Sequence, residues 1–145
     1  MVAKHGNKSV SSKSGSADLL EKLGCKAYKI ASPEITHIPL ITKVAKTGKP
    51  IILSTGMASE GEIDEAVKTA RSAGCTQLVL LHCISSYPAP IDQANIKQIR
   101  NIAKRFDVIS GLSDHTLGTT VSVAAVAQGA SLIEKHFTLS RKDKG

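Results

Sequence analysis

The sequence predicts an α/β protein built on a parallel sheet. Five short apolar runs rich in branched residues are long enough for buried strands. Amphipathic segments with helical spacing lie between them, and the two kinds of segment alternate strictly along the chain. Such alternation argues for right-handed β/α/β crossovers. It fits an open doubly wound sheet or part of a barrel, and periodicity does not choose between them. No GxGxxG or Walker motif follows any run, so the common nucleotide-binding readings lack support.

In chain order, residues 1–16 are rich in Lys, Ser and Gly and lack hydrophobic periodicity. They read as a disordered basic tail or a foreign leader, with the folded domain spanning 17–145. A short helix is expected over Ala17–Leu23 and the first strand over Ala27–Ala31. A helix at Ile38–Lys46 precedes the second strand, Pro50–Ser54. The next helix is the clearest: Ser59 and Glu62 form an S-x-x-E capping box, and Ile63, Ala66, Val67 and Ala70 mark one face. Lys68 and Arg71 suit its C-terminal end, and Gly74 offers a left-handed stop. Leu78–Cys83 reads as the third strand. Ile96, Ile99, Ala103 and Phe106 mark a further helix, followed by a strand at Asp107–Leu112. A helix of small apolar residues over Leu117–Gln128 leads to the last strand, Leu132–His136.

The chain has 145 residues, enough for one ordinary domain. A complete (β/α)8 barrel usually needs about 250. Aromatics are 3% and Trp is absent, so the core must be built from Ile, Leu, Val and Ala. The net charge of +7 reads as a solvated basic surface or as attraction for an anionic substrate. Lys4, Lys8 and Lys13 place much of it in the tail. Nucleic acid is not expected as a partner, because few aromatics are available to stack on bases. Cys25, Cys75 and Cys83 are widely spaced and read as reduced packing thiols of a cytoplasmic protein. The start has no apolar stretch of a secretory signal, and no run is long enough to span a membrane.

In parallel α/β folds chemistry gathers at the C-terminal ends of strands. The unusual polar residues collect there at every strand: Lys29, Ser32 and Glu34; Ser54 and Thr55; Cys83, Ser85 and Tyr87; Ser113, Asp114 and His115; Glu134 and His136. By strand alternation Ser113 and His115 share a face, as do Glu134 and His136. Two histidines on neighbouring strand ends read either as structural hydrogen-bonders or as neutral imidazole ligands of one metal with open positions. Lys29, inside an apolar run, needs a partner. That partner is a salt bridge such as Glu34, a phosphate or carboxylate ligand, or a carbonyl substrate if Lys29 is a Schiff-base nucleophile. Ser32, Ser54, Ser85 and Ser113 read as turn caps or as phosphate donors. Asp114 either orients His115 or caps the following helix. Tyr87-Pro88 fixes a turn, with Tyr87 packed or hydrogen-bonding a substrate.

The motifs KIASPE, STGMA, C-x-S-x-YPAP, GLSDHTLG and IEKHFTLSR, in this order and spacing, resemble the N-acetylneuraminate (sialic acid) synthase family. Its members include pseudaminic and legionaminic acid synthases and a spore-coat polysaccharide synthase. The resemblance runs from about Ala17 to Lys142, and the last two motifs together are highly specific. It implies a TIM barrel of which this chain carries the later five β/α units. It also implies a phosphoenolpyruvate-dependent condensation with an N-acylated amino sugar, of the N-acetylmannosamine type, to a sialic acid plus phosphate.

By the same resemblance His115 and His136 are metal ligands, for Mn²⁺ with Mg²⁺ as the alternative. Lys29, Ser32, Ser54 and Ser113 hold phosphoenolpyruvate. Glu34 transfers a proton, and Ser85 and Tyr87 face the sugar. The family's first three units and its C-terminal antifreeze-like domain have no counterpart in the sequence, so a fragment with impaired or no activity alone is expected. Exposed sheet edges predict a homo-oligomer or completion by another chain. Two alternatives stand beside this reading. One is a non-catalytic remnant or interaction module completed by a partner chain. The other is a Schiff-base aldolase using Lys29.

Overall fold

The computed structural model describes residues 14–140. Most of the expected tail therefore lies outside the described residues. Its last three positions, 14–16, form the first turn of helix α1 (Ser14–Lys22). Five parallel strands follow: β1 (Tyr28–Ile30), β2 (Ile51–Ser54), β3 (Leu78–Cys83), β4 (Ile109–Asp114) and β5 (Leu132–Lys135). They pair in sequence order, each with the next. Helices α2 (Ile38–Ala45), α3 (Glu60–Ser72), α4 (Lys97–Phe106) and α5 (Thr120–Ala127) occupy the four crossovers.

Strand alternation divides the sheet into two faces. The outer face presents Tyr28, Ile30, Ile51, Leu53, Leu78 and Leu80 to Leu40, Ile41 and Val44 of α2 and to Ile63, Ala66, Val67 and Ala70 of α3, all buried in one core cluster. A second cluster joins Leu112 to Ile99 of α4 and to Val121 and Ala125 of α5. The inner face carries Lys29, Ile52, Ser54, Leu81, Cys83, Ser113 and Glu134. It curls strongly. Four strand spacings in a flat sheet would set β1 and β5 about 19 Å apart, yet Lys29 Nζ lies 3.4 Å from Glu134 Oε2. The sheet is therefore a half-barrel, five β/α units of the TIM type.

Local chemistry explains the boundaries. The Ser59–Glu62 capping box forms in full at the start of α3. Gly74, at φ +101°, ends the turn after it in a conformation that costs glycine little. The fourth strand begins later than expected. Asp107 takes the left-handed cap of α4 at φ 49°. The Arg71 guanidinium binds the Phe106 and Asp107 carbonyls at 2.8 and 2.7 Å. Those two residues thus close a helix rather than open a strand, and β4 extends to Asp114. Helix α5 starts at Thr120 because Gly118, at φ +74°, turns the chain first. No described helix is long and apolar enough to cross a membrane.

Candidate functional site

Register sets the site. Cys83 pairs with Ser113 and Ser113 with Glu134, so three inward side chains share one level at the C-terminal rim. Ser113 is buried and donates to Glu134 Oε1 at 3.2 Å. The other carboxylate oxygen of Glu134 faces Lys29. Sequence reasoning offered Glu34 as the salt-bridge partner of Lys29. The partner is Glu134, because the curl of the sheet brings β5 across to β1. Lys29 Nζ also lies 3.4 Å from the Ile30 carbonyl, so both of its neighbours are acceptors that suit an ammonium.

His115 follows the end of β4. Its Nδ1 sits 2.8 Å from the Ile84 carbonyl. A carbonyl only accepts, so Nδ1 carries a proton, and in its neutral form the ring would present its lone pair at Nε2. That nitrogen is 3.4 Å from Ser113 Oγ. The His136 ring lies 5.5 Å from the His115 ring, centroid to centroid. Tyr87, exposed on the loop after β3, stacks obliquely on His115 at 4.3 Å and meets the edge of His136 at 5.7 Å. The expected histidine pair is thus brought together, with Tyr87 beside it.

The rim of β1 and β2 adds a second group. Ser32 Oγ accepts from the Gly56 amide at 3.1 Å and shares a 3.1 Å contact with Cys83 Sγ. A Cβ on Gly56 would stand 2.4 Å from that sulfur, so glycine is required there. Ser54 Oγ and Glu34 Oε2 are buried with no hydrogen-bond partner among the described residues. A buried oxygen left unpaired costs about 1–3 kcal/mol, so hydrogen-bonding groups brought to either atom would offset that cost. Ser85 is exposed beside Gly56.

A model described as the NeuB family matches residues 6–145. The chain belongs to the NeuB family. It is 48% identical over 132 residues to the N,N'-diacetyllegionaminic acid synthase of Campylobacter jejuni, covering 90% of this chain and 40% of that protein. The crystal structure of the spore coat polysaccharide biosynthesis protein SpsE of Bacillus subtilis superposes with a TM-score of 0.87 at 42% identity, over 90% of this chain and 37% of the other. The N-acetylneuraminic acid synthetase of Leptospira borgpetersenii, solved with citrate, gives 0.86 at 37% identity over 90% and 45%. The NeuB-family chain therefore spans less than half the length of these relatives.

Asp114 behaves differently from both readings the sequence allowed. It points to the outer face of the NeuB half-barrel, away from His115, and its side chain has no exposed surface. It accepts from the Thr116 amide at 2.9 Å, Thr116 Oγ1 at 2.7 Å, Ser122 Oγ of α5 at 2.5 Å and Lys135 Nζ at 2.9 Å. Burial pushes its carboxyl up, but these donors outweigh that and hold it down at about 2. Asp114 ties α5 to the strand ends without capping it. Glu134 is the residue whose importance sequence reasoning missed. The signal was present in its alternation with His136.

His82, also unassigned from sequence, is buried on the outer face and donates from Nε2 to the Ala94 carbonyl at 2.9 Å. Burial lowers its pKa, partly opposed by that bond. It takes no part in the inner-face site. Cys75 and Cys83 are buried and Cys25 half-buried, all as free thiols. Among the described residues no group of three or more His, Cys, Asp or Glu is arranged to hold a metal ion. The His115–His136 pair supplies two imidazoles, one with its tautomer fixed, and this donor set fits a divalent ion bound with open positions.

Proposed function

We propose that the chain forms the metal- and phosphoenolpyruvate-binding half of a sialic-acid-type synthase. The observation that carries this is the single inner-face cluster of Lys29, Ser113, Glu134, His115 and His136. Beside it lie the unpaired oxygens of Ser54 and Glu34. Lys29 would hold the phosphate or carboxylate of phosphoenolpyruvate as an electrostatic clamp, with Ser54, Ser113 and Ser32 as hydrogen-bond donors; for Ser113 this requires turning its hydroxyl away from Glu134. For Ser32 this requires exchanging its contact with Cys83, since its oxygen already accepts from Gly56. His115 and His136 would hold Mn²⁺, or Mg²⁺. A bound divalent ion polarises an aldehyde oxygen as a Lewis acid.

In the proposed reaction the enol carbon of phosphoenolpyruvate bonds to the aldehyde carbon of an open-chain N-acylated amino sugar. The aldehyde oxygen takes up a proton. Water adds to the resulting cationic carbon and loses a proton, and the C–O bond to phosphate breaks to leave a 2-keto acid. Glu34, with one buried oxygen unpaired, is the proposed proton carrier at the reacting carbons. Tyr87 and Ser85, exposed at the mouth, are the proposed sugar contacts. Two of the relatives named above support this class of product, one named an N,N'-diacetyllegionaminic acid synthase and the other an N-acetylneuraminic acid synthetase.

Calorimetric titration of the full chain with Mn²⁺ tests the site. Binding in the parent that disappears in the His115→Ala/His136→Ala double variant is expected. Equal binding by both proteins would remove the metal assignment.

A further inference from the structure

Lys135 grips the chain on both sides of His115. Its Nζ donates to Asp114 Oδ2 at 2.9 Å and to the Thr116 carbonyl at 2.7 Å. Lys135 is also the residue that precedes His136. The β4–β5 register pairs Asp114 with Lys135, which makes His115 and His136 the next rung beyond the ladder. One side chain on the outer face therefore bridges the two strand ends at the point where both histidines leave the sheet.

Asp114 makes that bridge rigid. Its buried carboxylate is held by Thr116 and by Ser122 of α5 as well as by Lys135. His115 has further anchors of its own: its carbonyl accepts from the Ala89 amide at 2.9 Å, and its ring bonds Ile84. The exposed His136 ring has no hydrogen bond among the described residues and meets the His115 and Tyr87 rings. The tie between the two histidines thus runs through Lys135.

We infer that Lys135 is the positioning residue of the histidine pair. It acts through Asp114 and the Thr116 carbonyl, from the face opposite the ligand, to set the distance at which His115 and His136 face each other. The effect on metal binding rests on the proposed metal site, whereas the effect on ring geometry does not. Charge gives the idea a sign of its own. Removing a cation beside a cation site should strengthen metal binding on Coulomb grounds, so weaker binding would report lost geometry.

The test compares the parent with Lys135→Met and Lys135→Arg as full chains. Proton NMR at pH 8 without metal reads the ring shifts of both histidines, and Mn²⁺ calorimetry reads affinity. In Lys135→Met the ring shifts are expected to move toward those of free imidazole as the rings leave each other's field. The methyl signals of Leu40, Ile41 and Val44 should stay in place. Mn²⁺ affinity should fall about tenfold or more, the usual effect of losing a group that orients a ligand. Lys135→Arg should restore most of both. Should Lys135→Met lose its core signals, Lys135→Gln, which keeps a donor but loses the reach, is read the same way. Unchanged ring shifts in a variant with an intact core overturn the inference. Changed ring shifts in a protein whose parent binds no Mn²⁺ uphold the positioning role and overturn the metal reading instead.

Discussion

Lys29 and Glu134 meet at 3.4 Å although they belong to the first and last strands of a five-stranded sheet. Glu134 also takes the Ser113 hydroxyl on its other oxygen. One carboxylate thus sits between the proposed anion clamp and the proposed metal ligands. Its charge should oppose phosphate and favour a divalent cation. Glu134→Gln is expected to tighten inorganic phosphate binding and weaken Mn²⁺ binding, each by about tenfold, the scale of one charge a few ångströms away in a partly solvated site. Separate calorimetric titrations decide it. Affinities that do not change, or that move in the same direction, would place Glu134 outside the site's electrostatics.

Asp114 should dominate the acid sensitivity of the β4–β5 end. Its folded carboxyl is held at about 2, below the ordinary value of 3.8. The stabilisation is therefore present in full above the unfolded value and is lost as pH falls through the folded one. The linkage corresponds to about 2 kcal/mol. Asp114→Asn cannot titrate, and it leaves Lys135 without its counter-charge. Urea melts of parent and variant should differ most near pH 6, and the gap should narrow between pH 4 and pH 2. A gap that stays constant over that range would mean that the bonds to Asp114 are not formed in solution.

Gly111 is required by close packing rather than by its backbone angles. A Cβ there would lie 2.1 Å from the Leu132 carbonyl and 2.8 Å from Leu81 Cδ2. The carbonyl is backbone of the neighbouring strand and cannot swing away. Gly111→Ala should push β5 off β4 and destabilise the chain by about 1–3 kcal/mol, the usual range for overpacking. A denaturant midpoint equal to the parent's would mean that β5 is not docked as described.

Much of this architecture was legible in the sequence, because its determinants are local. Branched apolar runs, the Ser59–Glu62 capping box and the stop at Gly74 each form from residues close in the chain. The histidine pair was legible as well, since it needs only strand alternation and adjacent strands. The partner of Lys29 was not, because it depends on how far the sheet curls, a property that no single strand carries. The same holds for Asp114. Its neighbour His115 suggested a role at the metal, but alternation sends consecutive residues to opposite faces, and Asp114 went to α5. The start of β4 was misplaced because Arg71 reaches over from α3 to hold the end of α4.

Lys29 separates the two chemistries the sequence allowed. A Schiff base needs an uncharged amine beside a carbonyl substrate. Lys29 instead lies between the Glu134 carboxylate and the Ile30 carbonyl oxygen, partners that suit a charged clamp. Borohydride reduction in the presence of pyruvate should therefore leave the mass of the chain unchanged. Phosphoenolpyruvate should raise the melting temperature of the parent, since a ligand bound to the native state stabilises it. Lys29→Met should abolish that rise, while a thermal melt in plain buffer moves little, because partly exposed ion pairs contribute about 1 kcal/mol or less. A borohydride-trapped adduct on Lys29 would reverse the assignment and make the aldolase the better reading.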